Sequence, residues 1–325
     1  MKNRPRHSRW VDRVVGILLG LALLGVGVAI ADGPPAGLIS DLRGSSEVQM
    51  PGGAWKPAAI MALLPAGTKI RVAAGGKATV SLMKGGVRYK TIGPATVEVA
   101  QETVKLLQGS LTSLEGGQAA ATRTAALLPA NVDIQRMGGV RNRSDSEIVI
   151  KIDDTVADVT PAMTWETRRD FDHFEVSVEE QQDAFAIIYK KTIPGNMRSF
   201  QVPADATLKF GNQYMIHLVG YGKDGKPSEA TPRDIEVLDK ATSDRVTAAR
   251  TETETQYAAA PDDVSPLVVL ISVYTENGLT TPALTLAQRV SKARPDSKTL
   301  YLLMGKLYER MHDNARAEEM FRKSE

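Results

Sequence analysis

The chain has 325 residues, of which 42% are apolar, and this is enough for two or three packed domains. It contains no cysteine, which excludes disulfides, zinc–thiolate sites, cysteine nucleophiles and a lipid-modified cysteine. Its formal net charge is +2, from 40 basic and 38 acidic residues, which gives no strongly basic or acidic balance.

The stretch 1–31 shows the three-part pattern of a targeting segment. A basic head that contains Lys2 and Arg13 is followed by the uncharged apolar run 14–30. Small residues then lie at Ala29 and Ala31, which predicts cleavage between Ala31 and Asp32 by a signal peptidase. The alternative is an uncleaved membrane anchor, because about 17 apolar residues just span a bilayer. In both cases the rest of the chain is predicted to be extracytoplasmic, in the periplasm, and to meet the membrane only through this segment if it is not cut.

Without residues 1–31, the net charge of the chain changes from positive to negative. Five basic residues and one acidic residue lie in residues 1–31, so the remainder carries 35 basic and 37 acidic residues. A net charge of −2 gives no basic surface for phosphate backbones. We therefore expect no nucleic-acid partner.

Residues 33–145 are predicted to form a first all-β domain. Short alternating runs such as "TKIRV", "KATVSLM" and "ATVEV" are separated by glycine-containing turns, which is typical of a compact β sandwich or solenoid. In "KATVSLM", Ala78, Val80 and Leu82 share one face of the strand. The Ala/Thr-rich stretch 116–132 is interpreted as a linker or a loop of this domain.

The same residues resemble the FecR-like extracytoplasmic domain. The resemblance rests on Trp55, on the step from Gly67 into an apolar strand, on Gly93 and on the final Gly109-Ser110-Leu111, and it extends over most of 33–114. A glycine-bearing hairpin at 84–86 also belongs to it. The sequence departs from the family pattern at "YKTIGPA" and after Leu114. The resemblance implies a binding or sensing domain outside the cytoplasm.

A second all-β domain is predicted over residues 146–239. It contains six or seven strands in about 85 residues, the size of an immunoglobulin-like sandwich. Trp165 lies on an early strand, and Leu208 precedes Tyr214 by six residues, which is the spacing of a tyrosine corner. The unit resembles a fibronectin type III domain. It is followed by the polar stretch 240–263, which is predicted to be a linker, in part helical.

Residues 264–325 change to a helical period and contain an internal repeat. Tyr274 and Tyr308 occupy equivalent positions in its two units, and so do Ala283 and Ala317. Their common spacing resembles that of the tetratricopeptide repeat, a helix-turn-helix unit in which small residues lie where the two helices touch. Ile271 occupies the position of Gly305 in the other unit, a departure that indicates a degenerate or terminal repeat. Because such arrays usually need about three units, we expect the pair to dock on the linker or another subunit, or the array to be longer.

The predicted fold class is therefore a multidomain chain, with two all-β domains followed by an all-α helix-turn-helix repeat pair. Its binding surface is implied by the repeat resemblance alone. In such repeats, the first helix of each unit lines a concave groove, and the groove is the candidate site for envelope proteins. The corresponding residues are Val268, Ser272, Thr275, Glu276, Leu302, Lys306, Glu309 and Arg310.

The sequence offers little catalytic chemistry. The cluster "DFDHFE" at 170–175 brings acids and His173 together, but strand alternation directs Phe174 inward and His173 to solvent. We find no serine-hydrolase, zinc-protease or phosphate-loop motif. No catalytic, cofactor or metal residue is therefore predicted, and the chain is not expected to be an enzyme.

Three functions remain to be weighed. The first is an exported, non-catalytic envelope scaffold that binds proteins and, as a second option, peptidoglycan or another glycan. The second is a FecR-type transmembrane sensor, although only about 13 residues precede the apolar segment. The third is a carbohydrate-active hydrolase with β accessory domains, for which no paired acids are evident.

Overall fold

The computed structural model describes residues 35–84, 87–114, 146–183, 185–206 and 208–325. They all fall in the unit Gly33–Glu325. The predicted signal peptide or anchor, its cleavage site at Ala31 and Asp32, and the stretch 116–132 lie outside the described residues. Within the described ranges, no helix has both the length and the apolar character that crossing a bilayer requires.

The first domain is an eight-stranded antiparallel sheet with six short strands and two long ones, β7 and β8. Its order is β3-β2-β5-β7-β6-β1-β4, and β8 pairs with β7 beside this path. The strands are β1 (Gly37–Arg43), β2 (Ser46–Gln49), β3 (Trp55–Pro57), β4 (Leu63–Leu64), β5 (Thr68–Val72), β6 (Lys77–Leu82), β7 (Arg88–Val99) and β8 (Val104–Leu114).

The long strand β7 is shared by the two halves of this domain. Its first half pairs with β6 and its second half with β5, so the sheet can fold over a core that contains Ile70, Val80 and Val97. Ala78, Val80 and Leu82 lie in this core, as the alternation predicts. The opposite face of β6 is buried as well, since Thr79 and Ser81 are covered.

The second domain has two sheets. One has the order β10-β17-β15-β12-β13 with β16 beside β15, and the other is β14-β11-β9. The strands are β9 (Ile148–Lys151), β10 (Thr155–Val156), β11 (Ala162–Thr167), β12 (His173–Glu180), β13 (Ala186–Pro194), β14 (Ser199–Gln201), β15 (Gln213–Tyr221), β16 (Pro227–Glu229) and β17 (Arg233–Val237). Short 3-10 helices lie at Gln181–Asp183 and Ala204–Ala206.

Two details that the sequence predicts for this sandwich are confirmed. Trp165 is buried, and its ring meets the Phe174 ring edge-on at 5.4 Å between centroids. The hydroxyl of the buried Tyr214 accepts a hydrogen bond of 2.7 Å from the backbone N–H of Lys209, which ties the strand to the preceding loop. This is the tyrosine corner, and it fixes where β15 begins.

Five helices follow the sheets in the described residues. They are α1 (Lys240–Ala259), α2 (Ser265–Glu276), α3 (Thr280–Ala293), α4 (Lys298–Arg310) and α5 (Asn314–Ser324). The predicted order of β domains followed by an all-α region is thus confirmed.

The stretch 240–263, predicted to be a linker that is in part helical, forms a continuous helix over most of its length. Asp239 caps α1 by accepting a hydrogen bond from the backbone N–H of Thr242. Val246 and Ala249, three residues apart, are buried in the same cluster as the later helices. Because the apolar stripe of α1 is so narrow, its helical period is hard to recognise in a Thr- and Glu-rich sequence.

The four later helices form two pairs with identical turns. In the first turn Gly278 N–H donates to Thr275 C=O and Leu279 N–H to Tyr274 C=O. In the second turn the same bonds join the equivalent residues, from His312 to Glu309 and from Asp313 to Tyr308. At Gly305 an added Cβ would lie 2.4 Å from the Phe321 ring, so α4 and α5 touch there as the small residue predicts.

Candidate binding cleft

The predicted groove is not an open surface along its whole length. Val268 and Ser272 are buried, and Leu302 is 39% exposed. The remaining predicted residues, Thr275, Glu276, Lys306, Glu309 and Arg310, are half-buried. The prediction that Val268 and Ser272 face an open groove is therefore wrong.

The first domain contributes to the burial of α2, together with the neighbouring helices. Helix α2 lies against β1 and β6, and Leu38 and Ile60 belong to the same apolar cluster as Val268. Thus the chain covers this part of the helical region with its own sheet. Burial also raises the pKa of Glu276.

A buried ion cluster, Asp41 with Arg294 and Lys77, reinforces this contact. The fully buried carboxylate of Asp41 accepts hydrogen bonds from Arg294 Nε at 2.7 Å and from Lys77 Nζ at 3.0 Å. Arg294 lies at the end of α3 and Lys77 on β6, so one carboxylate joins the two regions. Beside it, Arg88 bonds Asp263 at 3.0 Å.

The second domain contacts the helical region at the start of α3. Asp153, in the loop after β9, accepts hydrogen bonds from the backbone N–H of Thr281 at 3.0 and 2.9 Å, and so caps α3 from outside. Burial raises the pKa of Asp153, and the bonds from Thr281 oppose this effect. At Gly278 a Cβ would lie 2.7 Å from the Thr155 hydroxyl, so only glycine allows this approach. Both β domains are therefore packed on the helical region.

An open cleft remains between the sandwich and the second helix pair. One part, of about 410 Å³, lies between β9 and the turn 311–315 that joins α4 to α5. An adjoining part, of about 600 Å³, lies along β17. Thr231, Arg233 and His312 line both parts. We call the two parts together the binding cleft, and no predicted groove residue lines it.

The lining combines a free strand edge with apolar and charged side chains. Strand β9 pairs only with β11 in the described residues, which leaves its other edge without a strand. Val149 is 41% exposed and Phe185 is 53% exposed in the lining. Lys151 bonds Glu166, and Arg233 bonds Asp154 at 2.7 Å. This set can offer main-chain hydrogen bonds, apolar contact and charges of both signs to a ligand.

His312, like Phe185 elsewhere in the cleft, deviates from ordinary backbone geometry. Its φ is 58°, in the left-handed region that favours glycine. The equivalent residue of the first pair is Gly278, with φ 73°. The second pair thus places a side chain in the cleft where the first has none. Its next neighbour Asp313 caps α5 by accepting from the Arg316 backbone N–H at 3.1 Å.

Replacing His312 by glycine is expected to raise the free energy of unfolding by about 0.5–1 kcal/mol. The left-handed conformation costs a side-chain-bearing residue about 1–2 kcal/mol, and glycine recovers part of this because its own chain entropy opposes folding. Urea unfolding of the variants measures the change. His312→Asn is the control, with stability close to that of the unsubstituted chain, because asparagine tolerates this conformation. A destabilised His312→Gly would instead mean that the imidazole makes contacts worth more than the strain.

Sequence reasoning missed the cleft, although one signal for it was present. Aligning the two units on Tyr274 and Tyr308 sets His312 opposite a turn glycine, which marks an unusual backbone position. The β9 edge gives no such signal, since its four residues are a common strand pattern. Its neighbours across the cleft belong to the turn 311–315, which is far away in the sequence.

The acidic cluster at 170–175 forms no metal site in the structure. His173 stacks on Tyr221 with 4.8 Å between ring centroids and bonds Asp172 at 3.0 Å. Phe174 points into the core, as predicted. Within the described ranges, no three His, Asp or Glu side chains are grouped as metal ligands.

Comparisons with known proteins add a partial likeness. No protein-family model matches the chain, and no curated protein matches it. It is similar to the fn3 domain of human collagen alpha-1(XX), with 14% identity over 31% of this chain and 89% of that chain and a TM-score of 0.25. It is also similar to the FN1–FN3 domains of chicken CNTN1, with 8% identity over 64% and 67% of the two chains and a TM-score of 0.24. A third structure, pectate lyase PelI from Erwinia chrysanthemi with tetragalacturonic acid, has 13% identity over 27% and 28% of the chains and a TM-score of 0.23. The solved structures similar to this chain thus include fibronectin type III domains, at partial coverage.

Proposed function

We propose that the chain is an exported, non-catalytic scaffold of the cell envelope, which binds an extended segment of an envelope protein in the binding cleft. In this proposal the first domain is FecR-like, the second is a fibronectin type III-like sandwich, and α2–α5 are tetratricopeptide-like. The signal peptide or anchor at 1–31 directs residues after Asp32 to the periplasm.

The observation that carries the proposal is the free edge of β9 in an open cleft. An extended peptide gains affinity by adding a strand to such an edge, and it gains specificity from side-chain pockets on either side. Ligand sites also occur preferentially where domains meet, and this cleft lies between the sandwich and the helices. The packing of both β domains on the helices also supports a binding role, since a preorganised site loses less entropy on binding.

The lining also favours a peptide over a uniformly charged ligand. Lys151 and Arg233 are each paired with an acid of the cleft or its rim, so neither sign of charge dominates. Val149 supplies apolar contact in one part of the cleft and Phe185 in the other. A segment with alternating apolar and polar residues would match this arrangement.

Site-specific photocrosslinking in cells tests the proposal. A photoreactive residue in place of Val149 is expected to yield a covalent adduct with one defined segment of an envelope protein. The matched control is Ile187 on β13, which is 58% exposed but does not line the cleft. Equal adducts from both positions, or none from Val149, would count against a cleft ligand, and an adduct with glycan alone would replace the peptide.

Placing a charge on the cleft floor is expected to weaken binding of that segment by roughly tenfold or more. In Val149→Glu the new carboxylate would lie opposite Glu166 on β11 and would lose hydration when the bound strand packs beside it, a cost of about 2 kcal/mol or more. Fluorescence anisotropy of the crosslinked segment, made as a labelled peptide, measures the affinity. Ile187→Glu serves as the control and should leave it unchanged.

A further inference from the structure

Strand β8 is an unusual edge in the first domain. It runs for 11 residues along the whole of β7, and its other edge pairs with no strand of the described residues. All side chains from 105 to 110 are exposed, and Leu106 and Leu107 are 46% and 51% exposed. Ile92 on the neighbouring strand is also 51% exposed.

Three other described edges, those of β3, β4 and β13, carry the usual protection against pairing. Strand β3 is three residues long and includes Lys56 and Pro57, and β4 has only two residues. The nine-residue edge β13 has exposed lysines at 190 and 191. Charges, proline and shortness all keep strand edges from pairing with other chains. Strand β8 has no proline, and its single charge is Lys105.

The sequence of β8 is self-complementary about Gly109. With the strand laid antiparallel against a copy of itself and Gly109 on the two-fold axis, four of its five apolar residues meet one another, and Leu106 lies opposite Thr112. Leu107 then lies opposite Leu111, and Val104 lies opposite Leu114. Lys105 lies opposite Ser113, so the one charge in each strand meets no like charge.

We propose that β8 pairs with β8 of a second copy of this chain, in this antiparallel register centred on Gly109. The interface is isologous, as two-fold dimers require, and it joins the two first domains into one continuous sheet. At Gly109 the φ is 91° and a Cβ would lie 2.4 Å from the Pro94 carbonyl, so glycine is needed there to keep β8 against β7. The register shifts between β7 and β8 lie within three residues of the axis, which leaves the outer parts of the strand regular.

The absence of native cysteine allows a register-specific test on the full-length chain. In the proposed dimer residue 107 of one copy faces residue 111 of the other. The double variant Leu107→Cys with Leu111→Cys is therefore expected to form a covalent dimer on mild oxidation. Within one strand the two positions are about 13 Å apart, too far for an internal disulfide.

The two single-cysteine variants are the matched controls. Each places its thiols about 13 Å apart across the axis, so neither should form the dimer. A monomeric double variant would overturn the proposal, and this includes the case in which another segment or protein covers the edge. Equal crosslinking of the single variants would also overturn it, because it would indicate random collision.

A second measurement does not depend on cysteine. Sedimentation should show a dimer for the unsubstituted chain and a monomer for the variant with Leu106→Lys and Thr112→Lys, whose edge carries facing charges. Circular dichroism should be unchanged, since both side chains are exposed. A folded variant that remains dimeric would contradict pairing through β8.

Discussion

Replacing Asp41 by asparagine is expected to lower the free energy of unfolding by about 3–5 kcal/mol. The side chain of Asp41 has no exposed surface, and those of Arg294 and Lys77 are only 9% and 19% exposed. Asparagine keeps the size of the side chain but removes the negative charge, so two poorly hydrated cations would be left together. Urea unfolding followed by circular dichroism measures the loss.

A surface carboxylate of the same domain is the control for this substitution. Glu47 on β2 bonds Arg71, and the two side chains are 40% and 51% exposed. Glu47→Gln should change stability by about 0–1 kcal/mol, as is usual for exposed pairs. Similar losses in both variants would show that the Asp41 cluster contributes no more than a surface pair.

The Asp41 cluster also predicts a dependence on pH. Burial by itself raises the pKa of Asp41, but the hydrogen bonds and charges of Arg294 and Lys77 outweigh it and hold the pKa below its ordinary value. The stabilisation is therefore complete above the ordinary carboxyl pKa and is lost as the pH falls through the lower pKa of the folded state. The free energy of unfolding of Asp41→Asn should therefore fall less on acidification than that of the unsubstituted chain. Equal falls in the two chains would contradict the assignment.

Replacing Trp165 by alanine is expected to cost the sandwich about 3–5 kcal/mol. The side chain is 2% exposed and lies among Phe174, Tyr214 and other residues of one core. Truncation would leave a cavity, because the surrounding strands are held in paired sheets and cannot move inward to fill it. Urea unfolding of the variant, followed by circular dichroism, measures the loss.

Two tryptophan controls separate the cavity from other effects. Trp165 Nε1 has no hydrogen-bond partner among the described residues, so Trp165→Phe loses no bond seen there and should cost less than about 1.5 kcal/mol. Trp55 is only half-buried and lies under Arg71 at 4.6 Å, so Trp55→Ala should cost about 1 kcal/mol or less. Equal losses from the alanine variants at 55 and 165 would contradict a specific role of the sandwich core.

The features that the sequence predicts well are those set by neighbours in the chain. Alternation assigns Phe174 to the core, and a six-residue spacing finds the corner at Tyr214, because each contact forms within one domain. The change to a helical period after residue 264 is likewise a local property. These patterns reflect the strand and helix periods themselves.

The features that it misses depend on packing between domains. Thr79 and Ser81 have the polar character of an exposed strand face, yet the helices cover them, and the Ser81 hydroxyl bonds that of Ser40 at 2.8 Å. Val268 and Ser272 match groove positions, but they are buried in a helix that packs against the first sheet and the neighbouring helices. One warning was available, since "SPLVVLIS" at 265–272 is apolar around the whole helix, which indicates burial on all sides.

The buried cluster at Asp41 also constrains the order in which the chain can fold. Asp41 and Arg294 are separated by 253 residues, so the first domain is synthesised long before the helix that completes its face. At about 5–20 residues per second the interval is roughly 10–50 s. During that time a bare carboxylate and the apolar side chains of Leu38 and Ile60 face water. The nascent first domain therefore exposes apolar and charged groups that α2 and the end of α3 cover only later.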